Sequence, residues 1–201
     1  MTAIVLDQVD VRKRRFLILA TVAAGGAAAG AVAVPFVASW FPSAKALAAG
    51  APVEVDISKI EPGQQVTVEW RGKPVWVMRR TPEMLAQLDK NAGLLADPDS
   101  KSSKQPAYVK GVARSIKPEV FVAVGICTHL GCSPTLKKEV GAASDMGADW
   151  PGGYYCPCHN SRFDLAARVF KGAPAPTNLE IPPHRYVSDA VVMVGEDTKG
   201  A

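Results

Sequence analysis

Residues 16–44 contain no charged side chain. A helix needs about 20 mostly apolar residues to cross a bilayer core, so a membrane-spanning helix is predicted here. The run is built largely of Ala, Gly and Val, weakly apolar per position, and compensates by its length. Beyond it the period changes. Val53, Val55 and Ile57 alternate with Glu54 and Asp56, the period of two expected of a half-buried strand. Residues 65–70 repeat that pattern, residues 71–74 carry a turn signal, and residues 75–78 follow as a second strand, which together read as a hairpin. Thr81 and Pro82 fit the cap and first position of a short helix running to about Asn91. Residues 100–106 are polar loop. The unbroken apolar run 120–125 predicts a buried strand. Residues 153–155 and 168–170 lead into and out of a further loop, and residues 186–187 with 191–194 supply a closing strand. Residues 133–155 read as a long loop-like insertion, either a docking element or surface padding. The fold class that follows is mostly β: an N-terminal transmembrane helix plus an antiparallel β head.

Charge adds orientation. The chain holds 23 Lys and Arg against 19 Asp and Glu, a net charge of +4. Residues 1–49 carry five basic and two acidic side chains, so the remainder is close to neutral. A nearly neutral head carries no electrostatic footprint for nucleic acid. Residues 12–15 are all basic and precede the apolar run directly, which places that side in the cytoplasm and the head in the periplasm of a bacterial inner membrane. Arg14 and Arg15, followed by Phe16, Leu17 and Ile18, resemble a twin-arginine export signal; an ordinary positive flank is the other reading. Ala46 and Ala48 resemble a small-residue cleavage site, against which stands the length of the run. The domains expected are thus residues 1–42, N-terminus and anchor; 43–52, a small-residue hinge; and 53–201, the head.

The chemistry lies in two short boxes. Cys127, His129 and Cys132 occupy one; Cys156, Cys158 and His159 the other. They hold all four cysteines and two of the three histidines. Two Cys and two His are the ligand set of a Rieske 2Fe–2S centre, in which imidazoles replace thiolates on one iron. The matched spacing assigns Cys127, His129, Cys156 and His159 as ligands, and Cys132 and Cys158 are then free to pair. Four cysteines allow three connectivities, and a disulfide needs an oxidising compartment. Structural zinc and two plain disulfides remain as alternatives, although zinc takes four ligands and six are offered. His184, flanked by Pro183 and Arg185, reads as a surface or turn residue, and Asp164 as a turn or salt-bridge residue.

The two boxes, with Lys171, Gly172, Pro174 and Pro176 as a proline loop, resemble the Rieske iron–sulfur subunit of ubiquinol–cytochrome c reductase. The similarity runs from the anchor through nearly the whole chain. The extra cysteines Cys132 and Cys158 favour this quinol-oxidising branch over soluble Rieske ferredoxins and ring-hydroxylating oxygenases. The resemblance implies a β-sandwich head with a small cluster-binding subdomain at about residues 121–178. It implies a 2Fe–2S cofactor and a translocase subunit active only within its complex, with cytochrome b and a membrane-anchored c-type cytochrome as partners. In that family His159 would hydrogen-bond the quinol at the cytochrome b interface and accept its proton. The second electron would go to a haem of cytochrome b, and the head would swing to deliver its own to the c-type cytochrome. Leu130 and Gly131 would form the docking tip, and Ser161 would donate a hydroxyl to a bridging sulfide. Phe163 stands where the family often has a Tyr, and Asn160 where Gly is usual. The alternative function is a Rieske electron-transfer subunit of another periplasmic oxidoreductase, of the arsenite oxidase type.

Overall fold

The computed structural model describes residues 10–197; the first nine residues of the expected N-terminal segment lie outside the described residues. The chain divides after Ala48 into two units. The first contains α1, Val11–Ala38. The Asp10 side chain caps it, accepting from the backbone N–H groups of Arg12 (2.9 Å) and Lys13 (3.1 Å). At 28 residues the helix is about 42 Å long. None of its residues is buried, and its apolar side chains face outward on every side. An all-round apolar, uncovered helix is the form a membrane span takes. Trp40 and Phe41 lie exposed just past its end, where aromatic side chains favour a membrane–water interface. Most of the expected hinge is helical: α2 occupies Ala44–Ala49. Its alanines propagate a helix more readily than they form a flexible linker.

The second unit is built on three antiparallel sheets. In chain order its elements are β1 (Val53–Asp56), β2 (Gln65–Trp70), β3 (Lys73–Arg79), α3 (Pro82–Lys90), β4 (Val120–Val124), β5 (Thr135–Lys137), β6 (Gly153–Cys156), β7 (Ser161–Phe163), β8 (His184–Ser188) and β9 (Val191–Val194). The sheets run β1-β9-β8, β2-β3-β4 and β5-β6-β7, and none closes into a barrel. In the middle sheet β3 and β4 are buried on both faces, while β2 is largely uncovered. Val75 and Val77 of β3, with Val120, Val122 and Val124 of β4, pack with Val55, Val192 and Val194 of the first sheet. Trp76, Met78, Phe121 and Ala123 point the other way and pack with Leu88 of α3 and with Tyr154, Phe163 and Leu165 around the third sheet. Side chains alternate across a strand, so a strand covered twice must be apolar throughout, which explains residues 120–124.

Three local expectations change. The closing strand is a hairpin, β8–β9, with a bulge between Tyr186 and Ser188. The 133–155 insertion holds β5, the 3-10 turn Gly141–Ala143 and the start of β6. His184 is buried, not superficial. Its Nδ1 meets the Pro182 carbonyl at 2.9 Å, and burial lowers its pKa while that contact raises it. It stands away from both boxes, at the start of β8.

One contact joins the middle sheet to the chemistry. The Trp76 indole stacks on Tyr154, with ring centroids 4.6 Å apart and planes 9° from parallel. Tyr154 lies two residues before Cys156. Gly125 lies two residues before Cys127, and a Cβ there would come within 2.3 Å of Trp76 Cε2. The indole, held by Tyr154 on its face, has no free side to retreat to. Gly125→Ala is therefore expected to cost about 1–3 kcal/mol through overpacking. The check is the chemical unfolding midpoint of the full chain in detergent, and an unshifted midpoint would show that the ring moves freely.

Candidate metal centre

Two turns project from the ends of strands. The first follows β4. Gly125 N–H donates to the Pro74 carbonyl (2.8 Å), which anchors the start of the loop to the middle sheet. Cys127 N–H then donates to the Cys132 carbonyl (2.8 Å), and Gly131 N–H to the Cys127 carbonyl (3.0 Å). Gly131 sits at φ +87°, a left-handed conformation that glycine adopts without steric cost. The second turn is the tip of the β6–β7 hairpin, closed by the Cys156–Ser161 pair. Asn160 N–H donates to the Cys156 carbonyl (3.0 Å). Asn160 has φ +62°; among side-chain-bearing residues Asn is one of the few that tolerates this region, and the Tyr155 hydroxyl holds its amide oxygen. Asn in place of Gly is thus accommodated by conformation.

The structure brings the sequence-predicted residues of the two boxes together. Cys132 and Cys158 form a disulfide across 26 residues of chain, tying one turn to the other. Cys127 and Cys156 are free and only 2% exposed each. Burial pushes the Cys127 thiol above its ordinary pKa; the His129 backbone N–H opposes this, the neighbouring Cys156 thiol adds to it, and the Ser161 hydroxyl opposes it. The sulfurs of Cys132, Cys156 and Cys158 also lie within 4.8 Å of one another, but two of these are spent in the disulfide and offer no thiolate. His129 is half-buried, His159 is exposed, and their rings meet edge to face with centroids 4.7 Å apart.

A third segment closes over the turns. Ser161 is fully buried, and its Oγ accepts from Ala175 N–H at 3.1 Å. The Thr128 hydroxyl donates to the Thr177 carbonyl at 2.7 Å. The C-terminal end of the proline-rich stretch 171–176 is thereby pinned to both boxes. Thr128 carries no signal of this role in the sequence, where it reads only as a spacer between two ligands. Leu130, 71% exposed, and Gly131 form the outer tip of the first turn. Phe163 is buried in β7 and brings no hydroxyl to the site.

The donor set fits a cluster with two sulfur and two nitrogen ligands. His129 Nδ1 is buried and has no hydrogen-bond partner, an arrangement that is costly in a folded interior unless something binds the atom. Two buried, neighbouring thiols and two juxtaposed imidazoles offer a soft pair and a borderline pair. That division suits a cluster whose two irons differ in ligands.

Comparison with known proteins yields consistent likenesses. Residues 97–183 match the Rieske [2Fe-2S] domain, and residues 7–43 match the Ubiquitinol-cytochrome C reductase Fe-S subunit TAT signal. The chain is 60% identical over 193 residues to the ubiquinol-cytochrome c reductase iron-sulfur subunit of Allochromatium vinosum, covering 96% of this chain and 93% of that one. It is 40% identical over 190 residues to the subunit of the same name from Blastochloris viridis, covering 94% and 96%. Among solved structures, a chain of a hyperthermophilic respiratory Complex III shares 26% identity, with a TM-score of 0.46 over 87% of this chain and 98% of its own.

Proposed function

The chain belongs to the family of ubiquinol–cytochrome c reductase iron–sulfur subunits, and from that premise we propose that Cys127, His129, Cys156 and His159 hold its Rieske cluster and that His159 receives the proton of a quinol. The 2Fe–2S group, when bound, supplies a one-electron acceptor in the range of about −150 to +300 mV. The residues divide the remaining work. Cys127 and Cys156 hold their sulfurs in the buried floor, away from water. His129 offers its buried Nδ1 inward. His159 lies on the exposed side, so the ring nitrogen it does not use for binding can meet a quinol hydroxyl and take its proton. Ser161 keeps its hydroxyl hydrogen for sulfur, because its oxygen is engaged by Ala175 N–H. The disulfide holds the two turns in register while the outer ring is handled by a partner.

Leu130 and Gly131 form the tip that seats against cytochrome b, where the quinol is presented, and a c-type cytochrome receives the electron afterwards. Leu130 is 71% exposed at this tip and is open to such a contact. The anchor at 1–42 would keep the head, 53–201 with its cluster-binding subdomain at about 121–178, on the periplasmic side. Basic residues 12–15 on one flank of α1 and a disulfide beyond the other support that orientation. Residues 43–52 would act as the hinge, with α2 as a short rigid piece within it. The observation that carries the reading is the meeting of His129 and His159, each two or three residues along the chain from a buried free cysteine.

Detergent extraction of membranes followed by purification on this subunit tests the assignment. The expected product contains b- and c-type haem in addition to iron and acid-labile sulfide. On reduction it shows the paramagnetic signal of a histidine-ligated cluster, with its low average g value. A preparation holding zinc, or a cluster free of b haem, would overturn the proposal.

A further inference from the structure

Among the described residues the buried ionic side chains other than His184 are Arg80, Arg114, Arg168 and Asp164, all no more than 3% exposed. Three guanidinium groups face one carboxylate. They converge on the turn that follows β7. Arg168 Nε and Nη2 bind Asp164 Oδ2 at 2.9 and 2.7 Å. Asp164 Oδ1 is occupied by the N–H groups of Ala166 (2.9 Å) and Arg168 (2.8 Å), so this carboxylate is used up. Arg80 and Arg114 are left with neutral acceptors. Arg114 donates to the carbonyls of Ala166 (3.0 Å), Ala167 (3.3 Å) and Leu179 (2.8 Å), and to Gln105 Oε1 (2.9 Å). Arg80 donates to the carbonyls of Pro118 (2.9 Å) and Leu165 (3.3 Å) and to the Ser115 hydroxyl. Their hydrogen bonds are satisfied, but three buried cations share the single buried carboxylate Asp164, which acts on Arg80 and Arg114 as well as pairing with Arg168, so the cluster keeps a net positive charge. The other acidic side chains that act on them, Glu119 on Arg80 and Asp97 on Arg114, are exposed or half-exposed, where water screens them.

The turn is part of the site's frame. It begins directly after Phe163, two residues beyond Ser161. Arg114 grips it and Leu179 together, and these flank the 171–176 stretch whose Ala175 N–H engages Ser161. We infer that the net positive charge that Arg80 and Arg114 leave in this buried cluster raises the reduction potential of the iron–sulfur centre, so that the two arginines set the driving force for electron uptake as well as bracing the loops. The inference rests on the ligand assignment made above. Reduction adds one negative charge to the centre, and fixed positive charge in a poorly screened interior favours the reduced state. Both arginines stay protonated at neutral pH: burial lowers each only to about 10.

Opposite substitutions separate charge from bracing. In the purified complex, with potential read by redox titration of the cluster's paramagnetic signal, Arg80→Gln removes one buried positive charge. It is expected to shift the reduced-to-oxidised ratio at fixed potential about tenfold toward oxidised, equivalent to about 59 mV for one electron. Arg80→Lys keeps the charge but not the planar fork, and is expected to stay near the parent value. Asp164→Asn removes the sole buried carboxylate and should move the potential upward, although it loosens the same turn. A fall in both Arg80 variants, or a fall in Asp164→Asn, would show that geometry rather than charge governs and would overturn the inference. So would loss of the cluster from Arg80→Gln and Asp164→Asn with Arg80→Lys unchanged, which would mark the network as structural only. Absence of a histidine-ligated signal in the parent would instead sink the ligand assignment itself.

Discussion

His159→Ala is expected to abolish quinol oxidation by the assembled complex. The substitution takes away two things at once: an imidazole that meets His129 at 4.7 Å and the exposed ring proposed to receive the quinol's proton. The two losses can be told apart with His159→Cys. A thiol can replace the ligand but offers no imidazole nitrogen for the quinol, and its added negative charge favours a lower potential. The expected pattern is loss of the native signal in His159→Ala, an altered centre or none in His159→Cys, and turnover at background in both. The measurements are steady-state cytochrome c reduction by quinol and the paramagnetic spectrum of the same samples. Turnover retained with an unchanged spectrum in either variant would remove His159 from the mechanism. Position supports the expectation: of the two paired imidazoles, His159 is the exposed one and His129 is half-buried.

Legibility in the sequence followed the range of the forces involved. The cysteine–histidine boxes are local, so their spacing alone suggests the donor set proposed above, and the Thr81 cap and Pro82 start of α3 were readable for the same reason. The continuous apolar run at 120–124 announced a strand covered on both sides, because period-two alternation disappears when neither face meets water. Partner choice was not readable. β1 pairs with β9, Val53 opposite Val194, and nothing at either position encodes the other. The β8–β9 hairpin was hidden because its turn at Asp189 and Ala190 lacks the Asn-Gly or Asp-Gly signal of a tight hairpin. β5 is three residues long, too short to show a period. The buried arginines are the clearest failure: arginine is among the side chains least often fully buried. Only the carbonyl groups presented by the 164–167 turn and Leu179 make burial tolerable for Arg114.

Removing the disulfide should cost the head much of its stability and the site its grip. Cys132 and Cys158 close 26 residues of chain, worth about 3–4 kcal/mol in the chain-entropy account. For a head of this size that corresponds to a fall in melting temperature of about 6–16 °C. The loss should concentrate at the cluster. The two turns share few other ties; each is held mainly from below by its own strand and from the side by Thr128 and Ser161. The clean variant is the double one, Cys132→Ser with Cys158→Ser. A single substitution leaves a free thiol, and the sulfurs of Cys132, Cys156 and Cys158 lie within 4.8 Å of one another. The survivor could then oxidise with Cys156 or compete with it for metal, and either event would imitate the loss of a structural bridge. In the double variant, visible absorbance of the cluster followed against temperature should collapse before the β-sheet signal of the head does. Coincident transitions at the parent temperature would mean that the strands alone hold the turns, and that the bridge between them contributes nothing to the site.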